Sequence, residues 1–175
     1  MISTHRRAPG RPILLCALVA SLLLLACSDG STAGGPSSVG TKPAFRLRTT
    51  DGRTLGPADF LGQVVVVDFW ATWCAPCHIQ AQILDPVAKD LRGRGVQFLA
   101  ADLGEPEDIV KGFLKTNPIP YPVLLDSDSK VSDSFGITAL PTLMVIDKKG
   151  RLSFLRAGIA DGDTLKQVIR HAADS

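Results

Sequence analysis

Four consecutive valines, Val64 to Val67, stand out as an unbroken β-branched run in the chain. Such a run predicts a strand that is covered on both faces, as in the centre of a parallel or mixed sheet. After Cys77 the apolar positions recur at helical spacing, which predicts a helix from about residue 75 to residue 92. The junction between the strand at 63–69 and this helix is therefore the central feature of the predicted fold.

Strand and helix patterns alternate on both sides of this junction. Residues 45–49 alternate apolar and polar positions, which predicts an edge-like strand closed by a turn at Asp51-Gly52. The other predicted elements are a helical turn at 57–62, strands at 96–101, 123–125, 142–146 and 151–156, and helices at 105–115, 129–135 and 161–173. Ile109 and Phe113 are spaced to share one face of their helix. This order predicts an α/β fold, with a central sheet flanked by helices.

Two cysteines, Cys74 and Cys77, occupy the junction itself. Unpaired amide N–H groups and the helix dipole favour an anion at a helix N terminus, so we expect Cys74 to be the thiolate nucleophile. Cys77, one turn further on, lies on the same face and can reach the Cys74 sulfur. Pro76 suits the first helical turn, where its missing N–H would be unpaired anyway. A bridge across so short a loop constrains little of the unfolded chain, so redox chemistry explains this pair better than a structural disulfide does.

The residues around the cysteines carry a family resemblance. Asp68-Phe-Trp-Ala-Thr-Trp-Cys-Ala-Pro-Cys77 is similar to the thioredoxin signature, and its first half resembles the TlpA/ResA-type extracytoplasmic thioredoxins. The β-α segment at about 96–116 resembles an insertion typical of that group. The resemblance implies a thioredoxin fold with a central mixed β-sheet, an N-terminal β extension and a β-α insertion. It also implies a thiol-disulfide oxidoreductase that works without a cofactor or a metal.

The resemblance further implies which residues meet the substrate. Thr138-Ala-Leu-Pro-Thr142 resembles the loop that carries the family's cis-proline, so we expect Pro141 to be cis and to lie against the cysteine pair. Backbone groups beside it would then pair with an incoming chain, as in strand addition. The expected substrate-binding residues are Trp73, Ala75, Pro76 and Leu140.

Asp68 is an acid in an otherwise apolar strand. Burial of a carboxyl group raises its pKa, and the resemblance implies that this acid exchanges protons with Cys77. Many TlpA-like proteins have asparagine at this position. They often have glutamate where this chain has Gln80, and an amide cannot titrate. We therefore expect Asp68 to supply the acid–base chemistry that Gln80 cannot.

The N-terminal region resembles a lipoprotein signal peptide. Residues 1–26 contain three arginines and no acid, followed by an apolar run that is too short for a comfortable membrane span. Residues 24–27, Leu-Leu-Ala-Cys, resemble a lipoprotein cleavage site, which makes Cys27, the residue after the cleavage, the predicted lipidation site. An ordinary secretory signal or an uncleaved anchor is the alternative. Both interpretations put the protein outside the cytoplasm, and Ser28 favours the outer membrane of a Gram-negative cell.

Composition then divides the remaining chain into a tether and one domain. Residues 27–42 are rich in glycine and serine, which predicts a flexible tether, and residues 43–175 are long enough for one domain with a core. The chain has 19 basic and 17 acidic residues, but three of the arginines precede Cys27. The part after the predicted signal is therefore slightly acidic, which gives no electrostatic reason to expect nucleic-acid binding.

The leading hypothesis is a membrane-anchored, periplasmic thiol-disulfide oxidoreductase that acts as a monomer and reduces protein disulfides. By family analogy, a membrane thiol reductase of the DsbD/CcdA kind supplies its electrons, and its substrates include the apocytochrome c thiols of cytochrome c maturation. One alternative is a non-catalytic lipoprotein that binds a metal or a partner through the same face. Another is a c-type haem protein, because Cys74-Ala-Pro-Cys-His78 also matches the haem attachment pattern.

Overall fold

The computed structural model describes residues 39–175. The predicted signal peptide at 1–26, the lipidation site Cys27 and most of the predicted tether lie outside the described residues. Within 39–175, no helix combines the length and the apolar character that a membrane span requires.

One mixed sheet of seven strands organises the described residues, in the order β2-β1-β5-β4-β3-β6-β7. Its strands are β1 Leu47–Thr49, β2 Thr54–Leu55, β3 Val64–Trp70, β4 Val96–Leu103, β5 Val123–Asp126, β6 Thr142–Ile146 and β7 Leu152–Ala157. The helices are α1 Ala75–Leu91, α2 Glu107–Leu114, α3 Lys130–Ser134 and α4 Gly162–Asp174, with a 3-10 turn at Pro57–Phe60. This arrangement confirms the α/β class that was predicted from the alternation of strands and helices.

Strand β3 lies inside the sheet, parallel to β4 on one side and antiparallel to β6 on the other. All seven of its residues are buried. Val65 and Val67 pack into one core with Phe135, whereas Val64 and Val66 pack into a second core with Leu84. Successive side chains of a strand point to opposite faces, so a strand with a core on each face must be apolar at every position. This explains the unbroken valine run.

One prediction about local structure is wrong. The strand predicted as an edge is not one, because β2 pairs outside β1, with Leu47 opposite Leu55. In α2 the fully buried residue is Val110, whereas Ile109 is 49% exposed. The helix begins at Glu107, and its buried side carries Val110 and the partly buried Phe113. The three-residue spacing of Val110 and Phe113 suits one face of a helix as well as the four-residue spacing of Ile109 and Phe113 does.

Candidate active site

The two cysteines lie at the end of β3, where the chain turns into α1. Cys74 is the N-cap residue of the helix, and a 2.04 Å disulfide joins its sulfur to that of Cys77. The Cys77 amide donates a hydrogen bond to the Cys74 sulfur at 3.3 Å. Cys74 and Cys77 are 3% and 2% exposed, so both residues are largely covered in the oxidised protein. The first sulfur therefore occupies the predicted position at the amide groups of the helix N terminus.

The loop before β6 reaches the same place because β6 pairs with β3. Thr142 lies opposite Phe69, which brings the preceding Pro141 beside the turn that carries the cysteines. The Leu140–Pro141 peptide bond is cis, as the resemblance predicted. Leu140 packs against the cluster of buried residues that contains both cysteines, and the Pro141 carbonyl accepts a hydrogen bond from the Gly158 amide at 2.8 Å.

The predicted substrate-binding residues are accessible around this pair. Trp73 is 70% exposed, and Ala75 and Pro76 at the start of α1 are exposed as well. Trp70, by contrast, is only 3% exposed and belongs to the core next to the cysteines. The two tryptophans of the motif therefore have different surroundings: one supports the turn, and the other presents an apolar ring to solvent.

Asp68 lies behind the disulfide and is 3% exposed. Among the described residues, its Oδ1 atom has no hydrogen-bond partner, and burial raises the pKa of this carboxyl group well above its ordinary value. A cavity of about 350 Å³ is lined by both Asp68 and Cys77, with Trp70 and Phe113 among its other walls. The structure therefore brings the predicted acid and the second cysteine to one cavity.

Gln80 has a structural position that explains its amide. The residue is fully buried, and its side chain exchanges two hydrogen bonds with the backbone of Ala160, before α4. The Ala160 amide donates to Oε1 at 2.7 Å, and Nε2 donates to the Ala160 carbonyl at 3.3 Å. An amide carries both a donor and an acceptor, whereas an ionised carboxylate would leave the carbonyl unpaired. Gln80 therefore ties α1 to the chain before α4.

Three further acids at this end of the sheet were not predicted as site residues. They are buried and lie at or just after the carboxyl ends of β4 and β5: Asp102, Glu105 and Asp126. Glu105 accepts hydrogen bonds from the amide and the hydroxyl of Thr72, two residues before Cys74. Burial, followed by the neighbouring Glu105 carboxyl group, raises the pKa of Asp102 to about 8. The sequence could have pointed to these acids because each lies at or shortly after the end of an apolar strand run. Parallel strands end at the same edge of a sheet, so acids at those ends lie near one another.

His78 lies on the exposed side of α1. Its Nε2–H donates to the Thr72 carbonyl at 3.1 Å, and its ring stacks on Phe113 at 5.3 Å between centroids. Within residues 39–175, no group of three or more His, Cys, Asp or Glu side chains is arranged to hold a metal ion.

Comparison with known proteins agrees with this geometry. The model of the AhpC/TSA family matches residues 40–155. The chain is 30% identical to the thiol-disulfide oxidoreductase ResA of Geobacillus thermodenitrificans over 164 residues, covering 93% of this chain and 94% of the relative.

Solved structures agree as well. A thiol:disulfide interchange protein of the thioredoxin family from Chlorobium tepidum superposes with a TM-score of 0.68 at 28% identity, covering 79% of this chain and 99% of that one. The exposed lipoprotein thioredoxin of Streptococcus pneumoniae superposes with a TM-score of 0.67 at 28% identity, covering 73% and 98%.

These matches favour the redox interpretation of the Cys-Ala-Pro-Cys-His sequence over haem attachment. The family match covers most of the described domain, and the redox disulfide has the spacing that the activity requires. The chain belongs to the AhpC/TSA family of thioredoxin-fold proteins, and it is a thiol-disulfide oxidoreductase of the ResA type.

Proposed function

We propose that the protein is an extracytoplasmic, membrane-anchored reductant of protein disulfides. The observation that carries this proposal is the pairing of Cys74, at a helix N terminus, with Cys77, which shares a cavity with the buried Asp68. The first cysteine has the surroundings of an attacking thiolate, and the second has an acid–base group within the same cavity.

The reaction begins with the reduced dithiol. The Cys74 thiolate attacks one sulfur of the substrate disulfide, so that a Cys74–substrate disulfide forms and the other substrate sulfur leaves as a thiolate. Cys77 then loses its proton to the Asp68 carboxylate and attacks the Cys74 sulfur. The substrate's second sulfur leaves, the Cys74–Cys77 disulfide forms, and two electrons have passed to the substrate.

Asp68 suits this proton transfer because of where it is buried. A raised pKa brings the carboxyl closer to the ordinary cysteine value of about 8.5, and proton exchange is most efficient between groups with similar pKa values. In the reverse direction, when the enzyme is reduced again, the protonated Asp68 can return the proton to Cys77.

The substrate groove in this proposal combines exposed residues at the start of α1 with the partly buried Leu140 and the buried Pro141. In this proposal Trp73, Ala75 and Pro76 contact the substrate from the α1 side, and Leu140 and Pro141 contact it from the β6 side. An extended substrate segment then pairs with the backbone beside Pro141 in the manner of an added strand. We propose protein disulfides as the substrates, including those of apocytochromes c, and a DsbD/CcdA-like membrane thiol reductase as the electron donor.

The anchoring proposal is supported by sequence and by the way the chain enters the domain. Leu24-Leu-Ala-Cys27 resembles a lipoprotein cleavage site, and one similar structure is described as an exposed lipoprotein. Gly40 and Thr41 hydrogen-bond to the backbone of Leu152, at the end of β7 that pairs with Ile146. The cysteines lie at the opposite end of the sheet. A tether that enters here leaves the disulfide facing away from the attachment point.

Trapping of mixed disulfides tests the redox proposal. Cys77→Ser should accumulate covalent complexes through Cys74 in cells, and Cys74→Ser should accumulate none. Non-reducing gels followed by mass spectrometry identify the trapped proteins. Trapping by Cys74→Ser instead would contradict the assignment of the attacking cysteine, and an absence of trapped proteins from both variants would contradict a protein substrate.

Mass spectrometry of the membrane fraction tests the anchoring proposal separately. We expect the mature chain to begin at an acylated Cys27. A chain that keeps Met1, or that begins at an unmodified residue, would contradict lipid anchoring without affecting the redox proposal.

A further inference from the structure

The turn that carries Cys74 is held by residues that lie far from it in the sequence. Both carboxyl oxygens of Glu105 are bound to Thr72: one accepts from its backbone amide at 2.5 Å, and the other from its hydroxyl at 2.6 Å. On the other side of the same residue, the Thr72 carbonyl accepts from His78, whose ring stacks on Phe113 of α2. The inserted β4–α2 segment therefore contacts the turn twice, directly through Glu105 and through His78 by way of Phe113.

Glu105 is itself held in place. It is 8% exposed, and its backbone amide donates to Oδ1 of the buried Asp102 at the end of β4, at 3.3 Å. Burial of a carboxyl group is unfavourable unless its oxygens are hydrogen-bonded, and in this case Thr72 supplies both donors. The contact is thus a specific one between the buried Glu105 and the partly buried Thr72, and loss of either partner would leave polar groups unpaired.

The conformation of this turn matters most when the disulfide is reduced. Reduction removes the covalent bond between Cys74 and Cys77. Besides that bond, the oxidised protein holds the sulfur at the helix N terminus by two hydrogen bonds: the Cys74 amide donates to the Ala71 carbonyl at 3.2 Å, and the Cys77 amide donates to the Cys74 sulfur at 3.3 Å. Both require residues 71–74 to keep their conformation. A thiolate gains stability from the helix amides only while it stays beside them.

We propose that Glu105 is a positioning residue for the redox pair: by binding Thr72 it holds the turn that presents the Cys74 sulfur to the N terminus of α1. This inference deepens the proposed function and rests on Cys74 as the attacking thiol. It gives the β4–α2 segment an indirect part in the chemistry, because the segment supports the turn that carries the attacking thiol.

The test compares two substitutions of Thr72 in the full chain carrying Cys77→Ser. Thr72→Ala removes the hydroxyl donor and leaves one Glu105 oxygen unpaired, whereas Thr72→Ser keeps both hydrogen bonds. The readout is the rate of Cys74 alkylation as a function of pH, with mass spectrometry separating Cys74 from the other cysteines. The net value of one hydrogen bond corresponds to a rise of about half to one unit in the alkylation midpoint for Thr72→Ala. Thr72→Ser should match the parent protein.

A second variant separates position from charge. Glu105→Gln has nearly the same shape, can accept from the Thr72 amide and can donate to the Thr72 hydroxyl, but it carries no charge. The proposal requires that its midpoint does not rise. Thr72→Val, which has the shape of threonine without the hydroxyl, should repeat the result of Thr72→Ala and covers the case in which the smaller residue fails to fold.

Two results would overturn the inference. One is a lower melting temperature for Thr72→Ala and Thr72→Val with an unchanged alkylation midpoint, which would mean that the contact only stabilises the fold. The other is a rise for Glu105→Gln as large as that for Thr72→Ala: loss of a nearby negative charge by itself lowers a thiol pKa, so such a rise would mean that the hydrogen-bonded geometry kept by glutamine does not hold the turn. Alkylation needs no protein substrate, so these outcomes are independent of whether Cys77→Ser traps mixed disulfides.

Discussion

Asp68 and Glu105 are both buried acids near the disulfide, but their oxygens have opposite surroundings. Asp68 faces a cavity and has one oxygen without a hydrogen-bond partner among the described residues, whereas both oxygens of Glu105 are bound to Thr72. Burial without partners favours the protonated form and gives a group that exchanges protons. Burial with two donors stabilises one geometry. A buried carboxyl group is thus suited to the proposed proton transfer where it lacks partners, and to the proposed positioning of the turn where both oxygens are bound.

The largest expected effect tests the proposed role of Asp68 in proton transfer. Asp68→Asn removes the titrating group but keeps its shape, so resolution of the mixed disulfide by Cys77 should slow by roughly 10²-fold, a typical contribution of general acid–base catalysis. The initial attack by Cys74 should change little. Rapid-mixing kinetics with a disulfide-bonded peptide measures both steps. Asp90→Asn, at an exposed aspartate of α1, is the matched control. Equal rates for all three proteins would mean that Cys77 exchanges its proton with water alone.

The next effect has opposite signs for the two acids. Glu105→Ala leaves the amide and the hydroxyl of Thr72 unpaired, so the free energy of unfolding should fall by about 2 kcal/mol. Asp68→Asn replaces an ionisable buried group with a neutral one, so stability at pH 8 should rise by about 1 kcal/mol. Urea unfolding at this pH measures both changes. Stabilisation by Glu105→Ala would show that the carboxyl group is not anchored as the structure indicates.

The third effect is the pH dependence of stability. The folded protein raises the pKa of Asp68, and it raises that of Asp102 to about 8, with Glu105 and Asp126 as its acidic neighbours. Both carboxyl groups therefore have a higher pKa in the folded protein than in the unfolded chain, where it is about 4. The contribution of these groups to stability should therefore be fully present below about pH 4 and should be lost as the pH rises through the folded pKa, which is about 8 for Asp102, by up to about 1.4 kcal/mol per pH unit for each group.

Urea unfolding of the wild type, Asp68→Asn and Asp102→Asn at pH 5, 6.5 and 8 measures this slope. Each substitution should flatten it, and the double variant should flatten it further. A wild-type stability that rises steadily between pH 5 and pH 8 would contradict the sign of both shifts.

The smallest expected effect concerns Phe113, which contributes to both regions. Its ring lines the cavity of Asp68 and stacks on His78, which in turn holds Thr72. Phe113→Leu keeps an apolar wall but loses the stack, a contact worth about 0.5 to 1 kcal/mol. We expect a shift of a few tenths of a unit in the Cys74 alkylation midpoint, smaller than that for Thr72→Ala. A larger shift would move the main positioning role from Glu105 to the histidine.

Local pattern was enough for the centre of the molecule. The valine run predicted β3, and the spacing of Cys74 and Cys77 with the following apolar positions predicted a redox pair at the start of α1. The resemblance of residues 138–142 added the cis bond at Pro141. These predictions were correct because each depends on residues close together in the sequence, whose spacing determines which side chains share a face or a turn.

Features that depend on packing were missed or wrong. The two-residue strand β2 is too short for a periodic signal, and the spacing in α2 did not decide whether Ile109 or Val110 is buried. The structural role of Gln80 also could not be predicted from its neighbours in the sequence. Its partner, Ala160, is 80 residues away, and only the packing of α1 against the chain before α4 brings the two together.

The sequence by itself determined the set of reactive groups: a cysteine at a helix N terminus, a second cysteine one turn away and an acid in the preceding strand. Tertiary structure decided what surrounds that chemistry. Glu105 was predicted as the first residue of a helix, but it precedes α2 and binds Thr72, 33 residues earlier. Parallel pairing of β3 with β4 brings the two segments to the same edge of the sheet. A contact of this kind depends on strand order and register, which no short stretch of sequence encodes alone.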